Sequence, residues 1–359
     1  LGVKIGLWVA YALLMALTGF IAAWLAIRAR PDSADGSTIR INGDVVEVGK
    51  SASSKTARRV AVVISLIVGV IFGSQFNANW SEILLMFNAQ KFGTTDPQFG
   101  LDNGFYVFVL PGLKLVLAAV AMLLGVGLVF SLVTHVLMGG IRITMPVNGR
   151  GLFSITKRAR RQLGIWLILN MLAWSVRQVL GVFEQLTVQG SRITGASYTA
   201  VHANIPVTFI MAALTAILGV VLGVWLMRSH ALEGQASIGV RASAALKAWR
   251  VPVIAIAATV VVGMVLTIAW PILLQRFRVN PNAQEMESTY IQRNIDATRA
   301  AYGLDKLKTE QYKVTDKGEQ GALAKEADTT AQIRLLDPQV VSPTFKQLQQ
   351  SKQYYTFAD

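Results

Sequence analysis

Apolar runs of about 18 residues or more recur along the first 275 positions of this 359-residue chain, and none follows Gln275. A helix of that length matches the roughly 30 Å hydrocarbon thickness of a bilayer. Six runs read as transmembrane helices, at about 3–27, 60–76, 106–137, 163–186, 205–227 and 251–275. Only 15% of the residues are charged, against roughly 25% in soluble domains. The expected fold class is therefore an all-α polytopic membrane protein.

The loops alternate in charge. The first, third and fifth connections carry 17 basic residues, among them Arg28, Arg58, Arg59, Arg142, Arg158, Arg161 and Arg228. The second and fourth carry only Lys91 and Arg192. The positive-inside rule places the first set in the cytoplasm. Both ends of the sequence then lie outside, and position 1 is Leu, opening straight into an apolar segment without a basic leader. The expectation is a piece of a longer chain, with seven spans in all. The net charge of +14 follows from this topology and from anionic lipid at the cytoplasmic loops, not from nucleic acid. The absence of cysteine excludes disulfides and thiolate sites.

Smaller signals sit between the spans. Alternating apolar residues at 38–41 and 45–48 flank Asn42-Gly43, the signature of a hairpin with a type I′ turn. Asn79 followed by Glu82 predicts a capped helix, with Trp80, Ile83, Leu84 and Phe87 on one face, lying in the outer interface. Asp96 and Asp102 flank a glycine-rich turn, where aspartate caps backbone N–H groups; hard-cation binding is the alternative reading.

Beyond Gln275 the composition turns polar. Residues 1–275 read as the transmembrane domain and 276–359 as a stalk and the start of a larger extracytoplasmic domain of mixed helix and strand. Asn280-Pro281 predicts a helix start and Gly303 its end. Met286, Tyr290, Ala297, Ala301 and Leu304 form an apolar stripe, with Ile291, Ile295 and Tyr302 beside it, which needs a partner surface. That partner is expected in the outer loop at 80–103. Strands are expected at 310–315 and from 354, and Ser342-Pro343 predicts another helix start.

Three stretches carry a family resemblance: WSEILLMFNAQKFGTTDPQFGLDNGFYVFVLP at 80–111, RFRVNPNAQEMESTYIQRNIDATRAAYGLD at 276–305, and LLDPQVVSPTFKQLQQSKQYY at 335–355. Together they resemble the uncharacterised protein family 0182, multi-pass membrane proteins of actinobacteria. The resemblance implies about seven spans followed by a large extracytoplasmic domain. It implies no reaction.

Few residues suggest chemistry. Arg177 lies on the fourth span, about 14 residues from its cytoplasmic end and hence roughly 21 Å deep. Glu184 follows seven residues later on the same face. The pair reads either as a polar path or as a snorkelling arginine with its counter-ion. Lys114 reads as a snorkelling residue near the outer interface. His135, His202 and His230 show no zinc spacing, and no cofactor or metal site is implied. The sequence shows no serine–lysine, paired-aspartate or metalloprotease signature. The favoured reading is a scaffold or assembly subunit of the cell envelope in the plasma membrane, partnered by lipid and by other envelope proteins, with Trp80, Phe87, Asp96, Asp102, Tyr290 and Tyr302 as interfacial or docking residues. The alternative is a transporter or lipid-handling channel with a path near Arg177 and Glu184.

Overall fold

The computed structural model describes residues 2–29, 37–41, 44–48, 54–143, 153–188, 194–229, 238–308, 310–311, 321, 327–333 and 338–348. Six helices in it are long and apolar enough to cross a membrane: Gly2–Arg28, Ser54–Ser74, Phe105–Leu137, Lys157–Glu184, Ala200–Arg228 and Trp249–Ala301. They fall where the apolar runs predict spans. The chain is a multi-pass membrane protein of mainly helical structure.

The α-helices are α1 (Gly2–Arg28), α2 (Ser54–Ala78), α3 (Trp80–Phe87), α4 (Leu110–Leu137), α5 (Lys157–Glu184), α6 (Ile205–Arg228), α7 (Ile238–Met264), α8 (Trp270–Leu273) and α9 (Ala283–Ala301). In space α1 packs against α2 and α4, α4 against α5, α5 against α6, and α6 against α7. Large apolar side chains such as Leu13, Ile67, Val129 and Ile254 point outward, while the buried face of α1 joins Tyr11, Met15 and Ile27 to the small residues Ala16, Gly19, Ala22, Ala23 and Ala26. That inversion suits a lipid surround, where small residues let helices approach and large ones meet acyl chains. Gly73 shows the effect: a Cβ there would lie 2.8 Å from the Ala12 methyl.

Interhelical hydrogen bonds add to this packing. The Tyr11 hydroxyl of α1 donates to the Ala119 carbonyl of α4 (3.2 Å), and Asn170 Nδ2 of α5 to the Leu124 carbonyl of α4 (3.0 Å). Ser175 Oγ of α5 donates to the Ala212 carbonyl of α6 (2.7 Å), and Gln178 Nε2 to Thr215 Oγ1 (2.9 Å). Asn170 and Ser175, scattered singly along the sequence, are thus helix-to-helix ties, whereas Thr267 bonds within its own helix, to the Gly263 carbonyl.

Two short antiparallel ladders lie in the basic connections. β1 (Ser37–Ile41) pairs with β2 (Asp44–Val48), with Ile41 opposite Asp44, the register a two-residue turn requires. The expected Asn42-Gly43 turn itself lies outside the described residues. β3 (Ile141–Ile143) pairs with β4 (Phe153–Ile155), and buried Ile141 and Ile155 join Ala159 and Leu163 of α5 in one apolar cluster. Thr156 then caps α5, its side chain accepting from the Ala159 N–H at 3.4 Å.

Two helix starts differ from expectation. α3 forms at Trp80, but Asn79 makes no side-chain capping bond. Asn280-Pro281 opens a single 3-10 turn, Asn280–Asn282, directly after the preceding helical turns; Asn282 then leaves helical dihedrals (φ −123°, ψ 42°) and α9 begins at Ala283, so the contiguous run Trp249–Ala301 of 53 residues changes helix type there. It stops where glycine predicts, with Gly303 left-handed at φ 67°.

By internal contacts the chain forms two compact units, Leu1–Tyr302 and Gly303–Asp359. The second holds a short turn of helix at Leu304–Lys306 and helices at Ala327–Gln332 and Pro338–Leu348. The last begins before Ser342-Pro343 and carries Pro343 in its interior. Its described residues include no strand, so the mixed helix-and-strand reading is not supported. Among the described residues no strand lies beside Glu310 and Gln311; residues 312–315 and 354–359 lie outside the described residues.

Candidate functional site

The best-defined polar arrangement lies at the end of the bundle remote from the basic connections. It begins with a loop organised by two carboxylates. Asp96 Oδ1 accepts the N–H groups of Gln98 (2.8 Å) and Phe99 (2.6 Å). Its Oδ2 accepts the Leu101 N–H (2.9 Å) and the Tyr106 hydroxyl (2.8 Å). Burial alone would raise this carboxyl, but the Phe99 N–H, the Tyr106 hydroxyl and the Leu101 and Gln98 N–H groups outweigh it and hold it below its ordinary value. Asp102 accepts from Phe92 (3.0 Å), Gly93 (2.9 Å) and Gly104 (2.7 Å). Those backbone bonds, led by Phe92, lower its pKa as well, with Lys91 adding a smaller Coulombic share. Both aspartates therefore cap turns. Gly93 (φ 73°) and Gly100 (φ 69°) take the left-handed conformations the loop needs.

Helix α9 docks beside this loop. Arg293 reaches Gln98 Oε1 (3.4 Å), and Asn294 Nδ2 donates to the Thr194 carbonyl (2.8 Å). Glu287 Oε2 accepts the Tyr198 N–H (3.0 Å). Tyr198 stacks on His202 with ring centroids 4.1 Å apart, and the Tyr290 hydroxyl lies 3.5 Å from His202 Nδ1. The 80–103 loop is a partner of α9, as the sequence suggests, with Gln98 bonded to Arg293 and Asp96, Pro97 and Asn103 lining the cavity beside it; the 194–202 segment bonds Glu287 and Asn294. Between them is a cavity of about 330 Å³ whose walls include Asp96, Gln98, Tyr106, Leu186, Thr194 and Arg293.

The face that α9 presents keeps Tyr290 and Ala297 of the expected stripe but adds polar residues to it. Glu287, Tyr290, Arg293 and Asn294 face the loops, while Ile291, Ile295 and Tyr302 remain exposed, Tyr302 at 77%. A polar set at 287, 290, 293 and 294 has helical spacing and was the signal to follow. Of the other docking residues, Trp80 is partly buried with Lys4 Nζ 5.0 Å from its ring centroid, and Phe87 is 77% exposed.

Prolines shape this end of the bundle. The widened, π-helical turns Phe105–Val109, Ala200–Asn204, Val265–Ala269 and Leu274–Val279 each end two residues before a proline, at 111, 206, 271 and 281. The residue preceding each proline donates its N–H five residues back: Leu110 to Phe105, Ile205 to Ala200, Trp270 to Val265, Asn280 to Gln275. A proline ring clashes with the carbonyl four residues earlier, and widening the turn moves that carbonyl aside without breaking the helix. Pro252 inside α7 shows no such turn.

The proposed intramembrane pair is arranged differently. Glu184 makes its ion pair with Lys114 across α5 and α4, both side chains being well exposed. Arg177 is exposed and lies 5.7 Å from the Trp174 ring centroid. Spacing of seven along a helix suggested Arg177 and Glu184; the tertiary partner from 70 residues away has no signal in the sequence. His135 is buried and its Nε2 meets Gln162 Oε1 at 3.0 Å, His202 belongs to the junction, and His230 lies outside the described residues. Among the described residues no three His, Asp or Glu gather as a metal site.

The whole chain, residues 1–359, matches an uncharacterised protein family (UPF0182). It is 94% identical over 359 residues to a UPF0182 protein of Bifidobacterium longum, covering 100% of this chain and 34% of that one. It is 77% identical over 359 residues to a UPF0182 protein of Bifidobacterium adolescentis, covering 100% and 33%. With a UPF0182 protein of Kocuria rhizophila the identity is 37% over 358 residues, covering 99% and 33%. The chain thus spans about a third of the length of the curated relatives it matches. No solved structure matches it.

Proposed function

The chain belongs to the uncharacterised protein family UPF0182, and from that premise we propose that it is the membrane-embedded scaffold of a cell-envelope protein. In this reading the spans lie in the plasma membrane, the basic connections face the cytoplasm, and residues 276–359 lie outside as a stalk that leads into a larger extracytoplasmic domain. The observation that supports it is the contiguous run of helical turns Trp249–Ala301. Its outer part is held by Glu287, Arg293 and Asn294 against the loops of two other connections. A helix anchored at both ends is a rigid post, suited to fixing whatever follows it at a set distance from the bilayer.

A transporter would instead keep polar groups of the spans available to a solute. Here Asn170, Ser175, Gln178 and Tyr11 are engaged in bonds between helices, which favours the scaffold. The full-length protein in liposomes tests the choice: solute and lipid fluxes equal to those of empty vesicles are expected, and a flux abolished by Arg177→Ala would sink the scaffold reading. Orientation has its own test, made simple by the absence of cysteine. Single cysteines replacing Thr94, Ser197 and Thr315 should react with an impermeant thiol reagent in intact cells, and those replacing Ser53, Ser154 and Ser237 should not. Labelling of the second group alone would invert the topology.

A further inference from the structure

The basic end of the bundle contains a second hollow. It holds about 370 Å³ between the last turn of α1 and the first turns of α5. Arg28, Arg158, Arg161 and Gln162 form its polar side, and Leu25 and Ile165 its apolar side. The side chains are placed by specific contacts. The Arg28 guanidinium carbon lies 3.9 Å from the Trp24 ring centroid, and Arg158 Nη1 donates to the Arg28 carbonyl oxygen at 3.5 Å. Gln162 is held from two directions, donating to the Ala22 carbonyl (2.8 Å) and meeting His135 Nε2 (3.0 Å).

Among the described residues no carboxylate lies within ion-pair distance of Arg28, Arg158 or Arg161. The first turn of α5 contains no acid, although a helix N-terminus carries partial positive charge and is stabilised by anions. Two arginines at that terminus and a third facing them form a cationic hollow with no carboxylate paired to it among the described residues. Directly beside it, Leu25 and Ile165 are 42% and 44% exposed on the outer surface of the spans, where acyl chains run.

We propose that this hollow seats the phosphodiester headgroup of an anionic phospholipid, with its acyl chains descending along Leu25 and Ile165. Guanidinium groups donate paired N–H bonds to phosphate oxygens, and basic pockets between spans suit such headgroups. A free phosphate would satisfy the arginines but leave the adjoining apolar wall without a role; an amphiphile uses both.

The test uses the full-length protein in a nonionic detergent. Short-chain phosphatidylglycerol is titrated, with inorganic phosphate and short-chain phosphatidylcholine as separate arms. Salt is set at about 0.5 M, where diffuse attraction is screened within a few ångströms. Saturable binding of phosphatidylglycerol is expected, weakened roughly tenfold or more when Arg28→Gln, Arg158→Gln and Arg161→Gln are combined. Lys55→Gln, Arg58→Gln and Arg59→Gln together remove the same charge from the start of α2 and should change affinity by less than about threefold. Should the first triple variant fail to fold, Arg161→Gln alone, on an exposed side chain, should still weaken binding with an unshifted thermal transition. Equal losses in both triple variants would reduce the effect to diffuse charge and overturn the proposal. So would unchanged affinity in the Arg28 triple variant or in Arg161→Gln. Inorganic phosphate or phosphatidylcholine binding as tightly as phosphatidylglycerol would also overturn it.

Discussion

Gly164 of α5 and Gly223 of α6 approach so closely that a Cβ on either would lie 2.8 Å from the carbonyl oxygen of the other. The contact is reciprocal and backbone to backbone, so neither side can yield by turning a side chain. In lipid, association rests on such close packing because burial of apolar surface brings little gain.

Gly223→Ala should therefore destabilise the bundle by about 1–3 kcal/mol, read as a lowered thermal transition in detergent. Gly181, on the same α5, has no atom of another residue within 4 Å of the place a methyl would occupy, its own chain neighbours and helix backbone aside. Gly181→Ala should be neutral or stabilising by up to about 1 kcal/mol, since alanine is the better helix former. Equal effects at the two positions would contradict the packing account.

The Asp96 loop should respond to acid. Its carboxyl titrates below the ordinary value of 3.8 in the folded protein, so the ionised form is the one the loop stabilises. That contribution is complete above about pH 4 and is lost as pH falls through the folded pKa. Asp96→Asn should loosen the loop at neutral pH, because the amide turns a donor toward groups that already donate, at about 1–3 kcal/mol per donor left unpaired. Faster hydrogen exchange at Gln98, Phe99 and Leu101 is the readout; protection unchanged from wild type would refute it.

Glu287→Ala with Asn294→Ala removes two of the bonds that hold α9, each worth about 1 kcal/mol. Amide exchange should rise several-fold over 287–297 and, in step, over 194–199. A rise confined to α9 would mean that the two segments are not coupled.

Arg177→Lys should leave yield and thermal stability at wild-type levels, because the guanidinium is exposed and, among the described residues, makes no ion pair. Lys114→Gln should cost at most about 1 kcal/mol, the usual ceiling for an exposed pair. Complementation of a deletion strain provides the functional measure for Arg177. Lost function at normal protein level would show that this arginine does more than reach the interface.

The spans were legible because five of the six apolar runs exceed what a bilayer requires, so errors of a few residues at their ends do no harm; the run at 60–76 is short by itself, and its helix extends to Ser54–Ala78. Gly303 and the Asn42-Gly43 ladder register were legible because their backbone preferences are local. Pro281 is locally a helix starter and does sit in the first turn of Asn280–Asn282; what has no local signal is that the widened turn Leu274–Val279 runs directly into it. The partner of Glu184 and the docking face of α9 were hidden because both depend on residues brought in from other helices. Reading α9 by its apolar residues missed Glu287, Arg293 and Asn294, whose polar contacts define the junction.

A contiguous run of helical turns such as Trp249–Ala301 transmits angle as well as distance. Each residue turns it by about 100°, so the direction in which Tyr290 points is set by the residue count between Trp270 and Ala283. Each widened turn takes up about one extra residue, and two of them precede α9. A single insertion after Phe277 would swing Arg293 and Asn294 by about 100°, away from Gln98 and Thr194, although every residue of the junction was still present. The stretch between membrane and stalk is thus constrained in azimuth, and its length can change freely only in steps that bring the helix back into phase.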